Sequence, residues 1–407
     1  MSRRAGSVVI AFALLDLTAV GVQLPTLRAD LGSSTSGGQW IMNAWLLALA
    51  VALPLARTVP RRRVVVAGAL ALAAGSIVCA TAGSTATLVT GRAIAGAGVG
   101  ALLAPITSAA LVLPAFALAL GPVIGGVVAD HNWWHLWLWA GVPGAAVLGA
   151  LALRDEPAEA PTAPSRADLL LLPALVGVTV LFVQNEPWGL VSRDVIELLG
   201  IASIALLATR LPTPERAGLV AVAGAVATFC LLLPQYFELA HLMQPLHSGV
   251  RLSLLTVALI AGVVLGRRFG AVSYRPWFGI AVAAVTLAGL VGLSAVDAHT
   301  GSAMLGAALV CAGAGLGLVA GAATPGRLDD LLGQATFAAA LIVAATGAVF
   351  QQVQADERAS LASFEAALSQ SVGDAIGALI LLIAVAGGVA LVTARRASSA
   401  ARPAAES

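Results

Sequence analysis

Residues 93–129 form a stretch of 37 residues without one charged side chain. As a single straight helix, this stretch would be about 55 Å long. The hydrocarbon core of a bilayer is only about 30 Å thick, so one membrane helix cannot contain the stretch. The sequence therefore predicts two membrane-spanning helices here, with the chain reversing near Leu111–Pro114 and almost no loop between them.

The composition extends this conclusion to the whole chain. Of 407 residues, 59% are hydrophobic and 10% are charged, and the mean hydropathy is +0.95. A soluble globular chain carries about 25% charged residues. These values exclude a soluble enzyme, a nucleic-acid-binding protein and a disordered chain. An outer-membrane barrel is excluded too, because its strands would alternate polar and apolar residues. We expect an all-α integral membrane protein.

Scanning for apolar runs of about 20 residues predicts fourteen spans. They cover residues 7–27, 38–58, 63–83, 88–110, 112–130, 135–153, 168–186, 195–210, 216–237, 249–269, 273–294, 302–323, 332–352 and 373–394. The longest loops are residues 154–168, which resemble a linker, and residues 354–372, which could form a short surface helix. No loop is large enough to be a domain, so we expect the function to lie inside the bilayer.

Arginines give the orientation of the spans. With a cytoplasmic N-terminus, 17 arginines fall in inner segments and four in outer segments. This asymmetry predicts a protein of the plasma membrane with both termini in the cytoplasm. We expect no cleavable signal peptide, because the first apolar run is too long and lacks a small-residue cleavage site.

Asp16, Arg92 and Glu238 are ionisable residues within or at the end of apolar spans, where a charge is costly and its presence needs an explanation. Asp16 is near the middle of span 1, and a carboxyl group that exchanges its proton with either side of a membrane would suit a proton-coupled carrier. Alternatively, it is neutral and bonded to a nearby backbone group. Arg92 could pair with Asp16 or with backbone carbonyls, or it could anchor span 4 at the outer interface. Glu238, at the end of span 9, could face a cavity or water.

Small residues and aromatic residues give weaker signals. Span 5 contains Gly121-Pro122-Val-Ile-Gly125-Gly126, which predicts a kinked, closely packed helix. Glycines in spans 4 and 12 predict close helix contacts as well. Four tryptophans at 133, 134, 137 and 139 predict an interfacial belt, with an aromatic ligand cage as the minor alternative. The three cysteines have no metal or redox spacing, and we find no motif for a cofactor, a metal or catalysis.

Several of these segments carry a family resemblance. Leu15–Thr18 with Leu24-Pro25, then Gln39-Trp40, the run from Arg92 to Pro105, and above all Leu120–Gly126 resemble motifs of the fourteen-helix drug:proton antiporters of the major facilitator superfamily. The resemblance covers nearly the whole chain, and the motif of span 5 is its most specific part.

The resemblance implies an all-α fold with two six-helix bundles, residues 1–153 and 216–407. Residues 154–215 would form a cytoplasmic linker and two inserted helices. The protein would be a monomer that exports amphipathic small molecules in exchange for protons, without a cofactor and without nucleic acid. Asp16 would be the protonatable group, with Arg92 tuning its proton affinity and Glu238 as a further candidate. The bend at Gly121, Pro122, Gly125 and Gly126 would seal the carrier against leak.

The sequence also departs from the family pattern. The loop at Leu55–Arg63 keeps the basic residues of the family but lacks its Gly and Asp, and the loop between spans 4 and 5 is almost absent. Two alternatives to a proton-coupled exporter therefore stay open. One is an uncoupled carrier of metabolites or lipids, and the other is a degenerate membrane protein that serves as a partner or sensor without transport.

Overall fold

The computed structural model describes residues 3–106, 109–110, 112–154, 166–188, 192–209, 214–268, 276–296, 300–322, 328–359 and 363–400. These ranges are almost entirely helical. The helices are α1 (Arg3–Asp30), α2 (Thr35–Ala56), α3 (Arg61–Ala80), α4 (Thr85–Leu103), α5 (Val112–Asp130), α6 (Trp134–Trp139), α7 (Gly141–Arg154), α8 (Arg166–Trp188), α9 (Arg193–Ala208), α10 (Pro214–Gln235) with the π turn Tyr236–Ala240, α11 (Pro245–Arg268), α12 (Pro276–Ser294), α13 (Ser302–Ala322), α14 (Leu328–Ala359) and α15 (Phe364–Ala400).

Each of the fourteen predicted spans coincides with one helix, except that span 6 is divided between α6 and α7. Among the described residues, eleven helical segments are long and apolar enough to cross a membrane. The other three predicted spans correspond to α8, α9 and α12. The protein is thus a multi-pass helical membrane protein, and the predicted fold class is confirmed.

Span 6 breaks at Ala140, which separates the six-residue α6 from α7. Pro143 follows three residues later. A proline within a helix removes one backbone hydrogen bond and crowds the carbonyl group four residues earlier, here that of Trp139. Both pieces pack against α3, which α6 contacts before the break and α7 contacts after it.

The predicted reversal between spans 4 and 5 is in the wrong place. α4 ends at Leu103 and α5 begins at Val112, so the chain turns earlier than predicted. Pro105 has no N–H to continue the helical ladder, whereas Pro114 lies in the first turn of α5, where a proline is tolerated. The backbone N–H of Ala110 donates to Ser7 Oγ at 2.7 Å, which ties the turn to α1.

The surface helix proposed within residues 354–372 is also not found. α14 continues to Ala359, and α15 begins at Phe364, so these residues extend the two long helices instead. The predicted linker lies mostly outside the described residues.

Helix contacts repeat between the two halves of the chain. In the first half, α1 packs against α5, α2 against α4, and α3 against α4 and α7. In the second half, the same pattern joins α10 to α14, α11 to α13, and α12 to α13 and α15. The two groups meet along α1 and α10, α2 and α14, and α5 and α11, which we call the seam. α8 and α9 pack against α14.

Glycines allow the closest of these contacts. A Cβ atom on Gly96 would collide with the backbone of Trp45 in α2, and one on Gly98 would collide with the backbone of Leu72 in α3. α4 is therefore held tightly between two neighbours. Glycines of α13 face α11 in the same way, so the small-residue faces predicted in spans 4 and 12 both serve helix packing.

The loops on either side of α2 define the two ends of the molecule. The distal end is where α1 ends and α2 begins, at residues 30–35, and the proximal end is where α2 ends and α3 begins, at residues 56–61.

Candidate functional site

The structure brings Asp16 and Arg92 together inside the first group of helices. Arg92 Nη1 of α4 donates to Asp16 Oδ2 of α1 at 2.6 Å. The side chain of Arg92 is 3% exposed and that of Asp16 is 12% exposed. A charge-assisted hydrogen bond of this length between buried groups is among the stronger polar contacts in proteins. The pair joins α1 to α4, and its two residues are 76 positions apart in sequence.

Arg92 has further contacts on α2. Its Nε donates to the carbonyl oxygen of Ile41 at 3.3 Å, and its guanidinium carbon lies 5.3 Å from the centre of the Trp45 ring. A cation over an aromatic face is stabilised by the ring quadrupole. Arg92 therefore holds α1, α2 and α4 together. The interpretation of Arg92 as an outer interfacial anchor is wrong, because its side chain is buried.

The ion pair forms part of the wall of a cavity of about 250 Å³. Residues of α1, α2, α3, α4, α6 and α7 surround this cavity. Its walls are mostly apolar, with Trp45 and Trp137 as the largest side chains, and Ser76 and Cys79 add small polar groups. The cavity thus lies within the first group of helices and not in the seam.

The motif of span 5 lies where α5 contacts α1 and α11. A Cβ atom on Gly125 would collide with the backbone of Ala19, and one on Gly121 would collide with Thr18 Oγ1. Thr18 and Ala19 are within one helical turn of Asp16, so two of the glycines fit α5 against the segment that carries the ion pair.

The other side of the motif faces the second group of helices. A Cβ atom on Gly126 would be 2.7 Å from the carbonyl oxygen of Pro245. Gly249 of α11 packs against the carbonyl group of Pro122, and Ser253 Oγ donates to Ala119 O at 3.2 Å. The motif is therefore a double contact, with α1 on one face and α11 on the other.

Glu238 is separate from the Asp16–Arg92 pair. It lies in the π turn after α10 and is 9% exposed. Ser248 and Asp130 are its polar neighbours. Solvation of Glu238 is therefore the wrong alternative, because the π turn and α11 bury it. His247, in the same region, is exposed.

A polar network at the distal end was not predicted from the sequence. Arg28 Nη1 donates to Gln235 Oε1 at 2.7 Å, and Arg28 Nη2 donates to Thr35 Oγ1 at 3.2 Å. Thr35 Oγ1 in turn donates to Gln354 Oε1 at 3.2 Å. These bonds cross the seam, because they join α1 and α2 to α10 and α14. Arg28 looked like an ordinary outer-loop arginine in the sequence.

Three buried amide side chains in the seam region were missed as well. Gln39 and Asn43 of α2 and Gln351 of α14 are at most 2% exposed. None of their side-chain amide atoms has a hydrogen-bond partner among the described residues. Gln39 lies against Gly347 of α14, at the contact between the two groups. A search for uncharged amides within apolar runs would have found these residues.

The four tryptophans do not form one belt. Trp133 and Trp139 are 50% and 42% exposed, as an interfacial position predicts. Trp134 is 1% exposed, and its Nε1 donates to Asp30 Oδ2 at 2.8 Å. Trp137 lines the cavity. The prediction of an interfacial belt is therefore wrong for Trp134 and Trp137, because the short α6 presents one face to α3.

Comparison with known proteins finds similarity to export and resistance proteins. No family model matches the sequence. The chain is 28% identical over 359 residues to the tetracenomycin C resistance and export protein of Streptomyces glaucescens, covering 74% of this chain and 64% of that protein. It is 29% identical to a multidrug resistance protein B homolog of Mycobacterium tuberculosis, over 65% of this chain and 59% of that one. The probable actinorhodin transporter of Streptomyces coelicolor is 28% identical, over 63% and 54%. The chain thus spans less than two thirds of the length of these relatives.

Solved structures share the fold. A bacterial homologue of the human lysosomal transporter Spinster matches with a TM-score of 0.62 and 12% identity, over 96% of both chains. A D-xylose–proton symporter matches with a TM-score of 0.58 and 12% identity, over 93% of this chain and 95% of that one. The chain thus shares its fold with these solved transporters, and in sequence it is similar to the export and resistance proteins named above.

Proposed function

We propose that the protein is a secondary transporter of the plasma membrane that exports amphipathic small molecules in exchange for protons. The buried ion pair between Asp16 and Arg92 is the observation that carries this proposal. A charged pair inside a membrane bundle is costly and is typically kept for ion or proton movement. The relatives named for tetracenomycin C, actinorhodin and multidrug resistance support the export of small molecules.

Protonation of Asp16 would change the forces on α1 and α4. The neutral carboxyl group would lose its ionic attraction to Arg92, which would keep its contacts with Ile41 and Trp45 on α2. α1 would then be held less firmly against α4. A proton thus changes the relative stability of two helix arrangements, which is what a coupled carrier requires.

The motif of span 5 offers a route from this pair to the other group of helices. α5 packs against Thr18 and Ala19 through Gly121 and Gly125, and against α11 through Gly126. A shift of α1 would therefore be felt by α5 and, across the seam, by α11. Contacts with so little free space transmit displacement instead of absorbing it.

Alternating access completes the proposal. The groups formed by residues 1–153 and 216–407 would rock about the seam, with residues 154–215 between them. At the distal end, which we assign to the outside, the Arg28 and Thr35 hydrogen bonds join the two groups and would hold this end closed. Both termini would then be cytoplasmic. The protein would act as a carrier and not as an enzyme, and as a monomer.

The test is efflux of dyes and antibiotics from a pump-deficient host that expresses the chain. We expect Asp16→Asn to abolish efflux at an unchanged membrane level, and a protonophore to abolish efflux by the wild type. Asp374→Asn is the matched control, because Asp374 forms a partly exposed ion pair with Arg193 and should leave efflux unchanged.

Each alternative function has its own outcome in the same assay. Efflux that survives both Asp16→Asn and the protonophore would indicate an uncoupled carrier and would refute the proton-coupled mechanism. Co-purification of a stoichiometric partner, without flux of any compound tested, would favour a partner or sensor protein.

A further inference from the structure

The cavity beside Asp16 and Arg92 has its own shape and chemistry. It is enclosed by helices of the first group alone, whereas a substrate site of the rocking type would lie in the seam. Its volume of about 250 Å³ is below the range of about 300–1,000 Å³ typical of sites for drug-sized ligands. A molecule of one or two fused rings would fit.

The walls of the cavity favour a flat aromatic molecule. Phe12 of α1, Trp45 of α2 and Trp137 of α6 supply aromatic surfaces, and Leu15 and Leu72 supply aliphatic ones. Apolar walls with a few placed polar groups are typical of small-molecule sites. Aromatic rings also bind other rings in offset or edge-to-face arrangements.

One hydrogen-bond acceptor on the cavity wall has no partner. Asp16 is buried and lines the cavity. Arg92 donates to Asp16 Oδ2, and Oδ1 makes no hydrogen bond among the described residues. The charge of the carboxylate is already balanced by Arg92, whose guanidinium lies over Trp45. A cationic ligand would therefore meet a second cation beside the carboxylate. A neutral ligand with an O–H or N–H group would not.

The cavity has an edge at which a ligand could enter. Phe12 of α1, Trp137 of α6 and Gly144 of α7 line it and are partly exposed. A Cβ atom on Gly144 would be 3.1 Å from Phe12 Cε2, so the Phe12 ring packs directly against this glycine. This partly exposed edge lies between α1 and the α6–α7 segment.

We propose that this cavity binds a small, neutral aromatic molecule with one hydroxyl or N–H group, which donates to Asp16 Oδ1. The site is distinct from a substrate site in the seam. Binding here does not require the chain to export anything, so the proposal can be tested separately from the proposed function.

The test measures equilibrium binding of radiolabelled 2-naphthol to the purified full chain in lipid nanodiscs, with empty nanodiscs as the correction for partition into lipid. We expect saturable binding of one molecule per chain. 2-Methylnaphthalene has nearly the same shape but no donor, and we expect it to compete at least about tenfold more weakly, because it lacks a hydrogen bond to a charged group. A naphthylmethylammonium ion should also compete more weakly.

Two leucine-to-tryptophan variants test where 2-naphthol binds. Leu15→Trp adds bulk at the cavity wall and should reduce 2-naphthol binding by at least about tenfold. Leu70→Trp introduces the same side chain on α3 at a position that is 66% exposed, and it should leave binding unchanged. A folded chain without saturable binding would overturn the proposal. Equal affinity for the hydroxyl and methyl probes would do so too, as would preference for the cation or binding that Leu15→Trp leaves intact.

Discussion

At the scale of single residues, the Asp16–Arg92 pair is the most unusual feature of the protein. Both groups lie within apolar helices, where an isolated charge is unstable. The charge of each residue is compensated by that of the other. The guanidinium also donates a hydrogen bond to the Ile41 carbonyl and lies over the Trp45 ring. Removing one partner from a buried pair is far more harmful than removing both, because one removal leaves a buried charge without compensation.

A double-mutant cycle tests this account. We expect Arg92→Gln to lower the free energy of unfolding by about 3 kcal/mol, because the carboxylate of Asp16 is then left alone. The double variant with Asp16→Asn should recover most of that loss. The measurement is denaturant unfolding in detergent micelles. Losses that simply add in the double variant would contradict a direct interaction.

The partly exposed pair of Arg193 with Asp374, in which Arg193 also contacts Glu197, is the control for the cycle. Their side chains are 40% and 35% exposed, and Nη1 is 3.1 Å from Oδ2. Surface pairs typically contribute about 0–1 kcal/mol. Arg193→Gln should therefore have a much smaller effect than Arg92→Gln.

At the scale of elements, α5 depends on glycine for its two close contacts. Gly125 meets the backbone of Ala19 and Gly126 meets that of Pro245, and neither backbone can move aside as a flexible side chain could. The same helix would pack further from both neighbours if either position carried a Cβ atom. Its motif is thus first a packing requirement, and any role in sealing the carrier would depend on that packing.

Alanine substitutions test the packing requirement. Gly125→Ala and Gly126→Ala should each lower the free energy of unfolding by about 1–3 kcal/mol, as overpacking does. Gly377→Ala in α15 is the control, because a Cβ atom there would meet nothing within 4 Å. It should be neutral or stabilising by up to about 1 kcal/mol, since alanine favours a helix. Thermal unfolding in micelles would measure all three, and similar values for the three variants would contradict the prediction.

At the scale of the whole molecule, the contacts described across the seam are concentrated at the distal end. The hydrogen bonds of Arg28 and Thr35 lie there, as does the contact of Gly126 with Pro245. Under the proposed function this end would be the closed one, and the arginine asymmetry predicts that it faces the outside of the cell.

Labelling with a membrane-impermeant thiol reagent tests this orientation. In a background with the three native cysteines replaced by alanine, Leu242→Cys lies at the distal end, where the native side chain is 78% exposed. Val59→Cys lies in the proximal loop, where the native side chain is 40% exposed. In intact cells we expect only Leu242→Cys to be labelled, and both after permeabilisation. The reverse pattern would refute cytoplasmic termini.

The helices could be predicted because they depend on local properties of the chain. Apolar runs separated by charges or turn residues gave all fourteen spans, and the polar residues within them pointed to Asp16 and Arg92. Their ends were less predictable. The turn before α5 is tied to α1 by the hydrogen bond of Ala110 with Ser7, and the extended end of α14 is tied to α2 by that of Gln354 with Thr35. Both contacts connect distant parts of the chain.

By itself, the sequence determined that this chain crosses a membrane many times as helices, because backbone groups in lipid must be satisfied within each segment. Only the tertiary structure decided what the polar side chains do. It paired Asp16 with Arg92, joined Arg28 to Gln235 and placed Trp137 on the wall of a cavity. Hydropathy measures how apolar a segment is, but the partner of a buried polar group depends on which helices pack together and at which rotation.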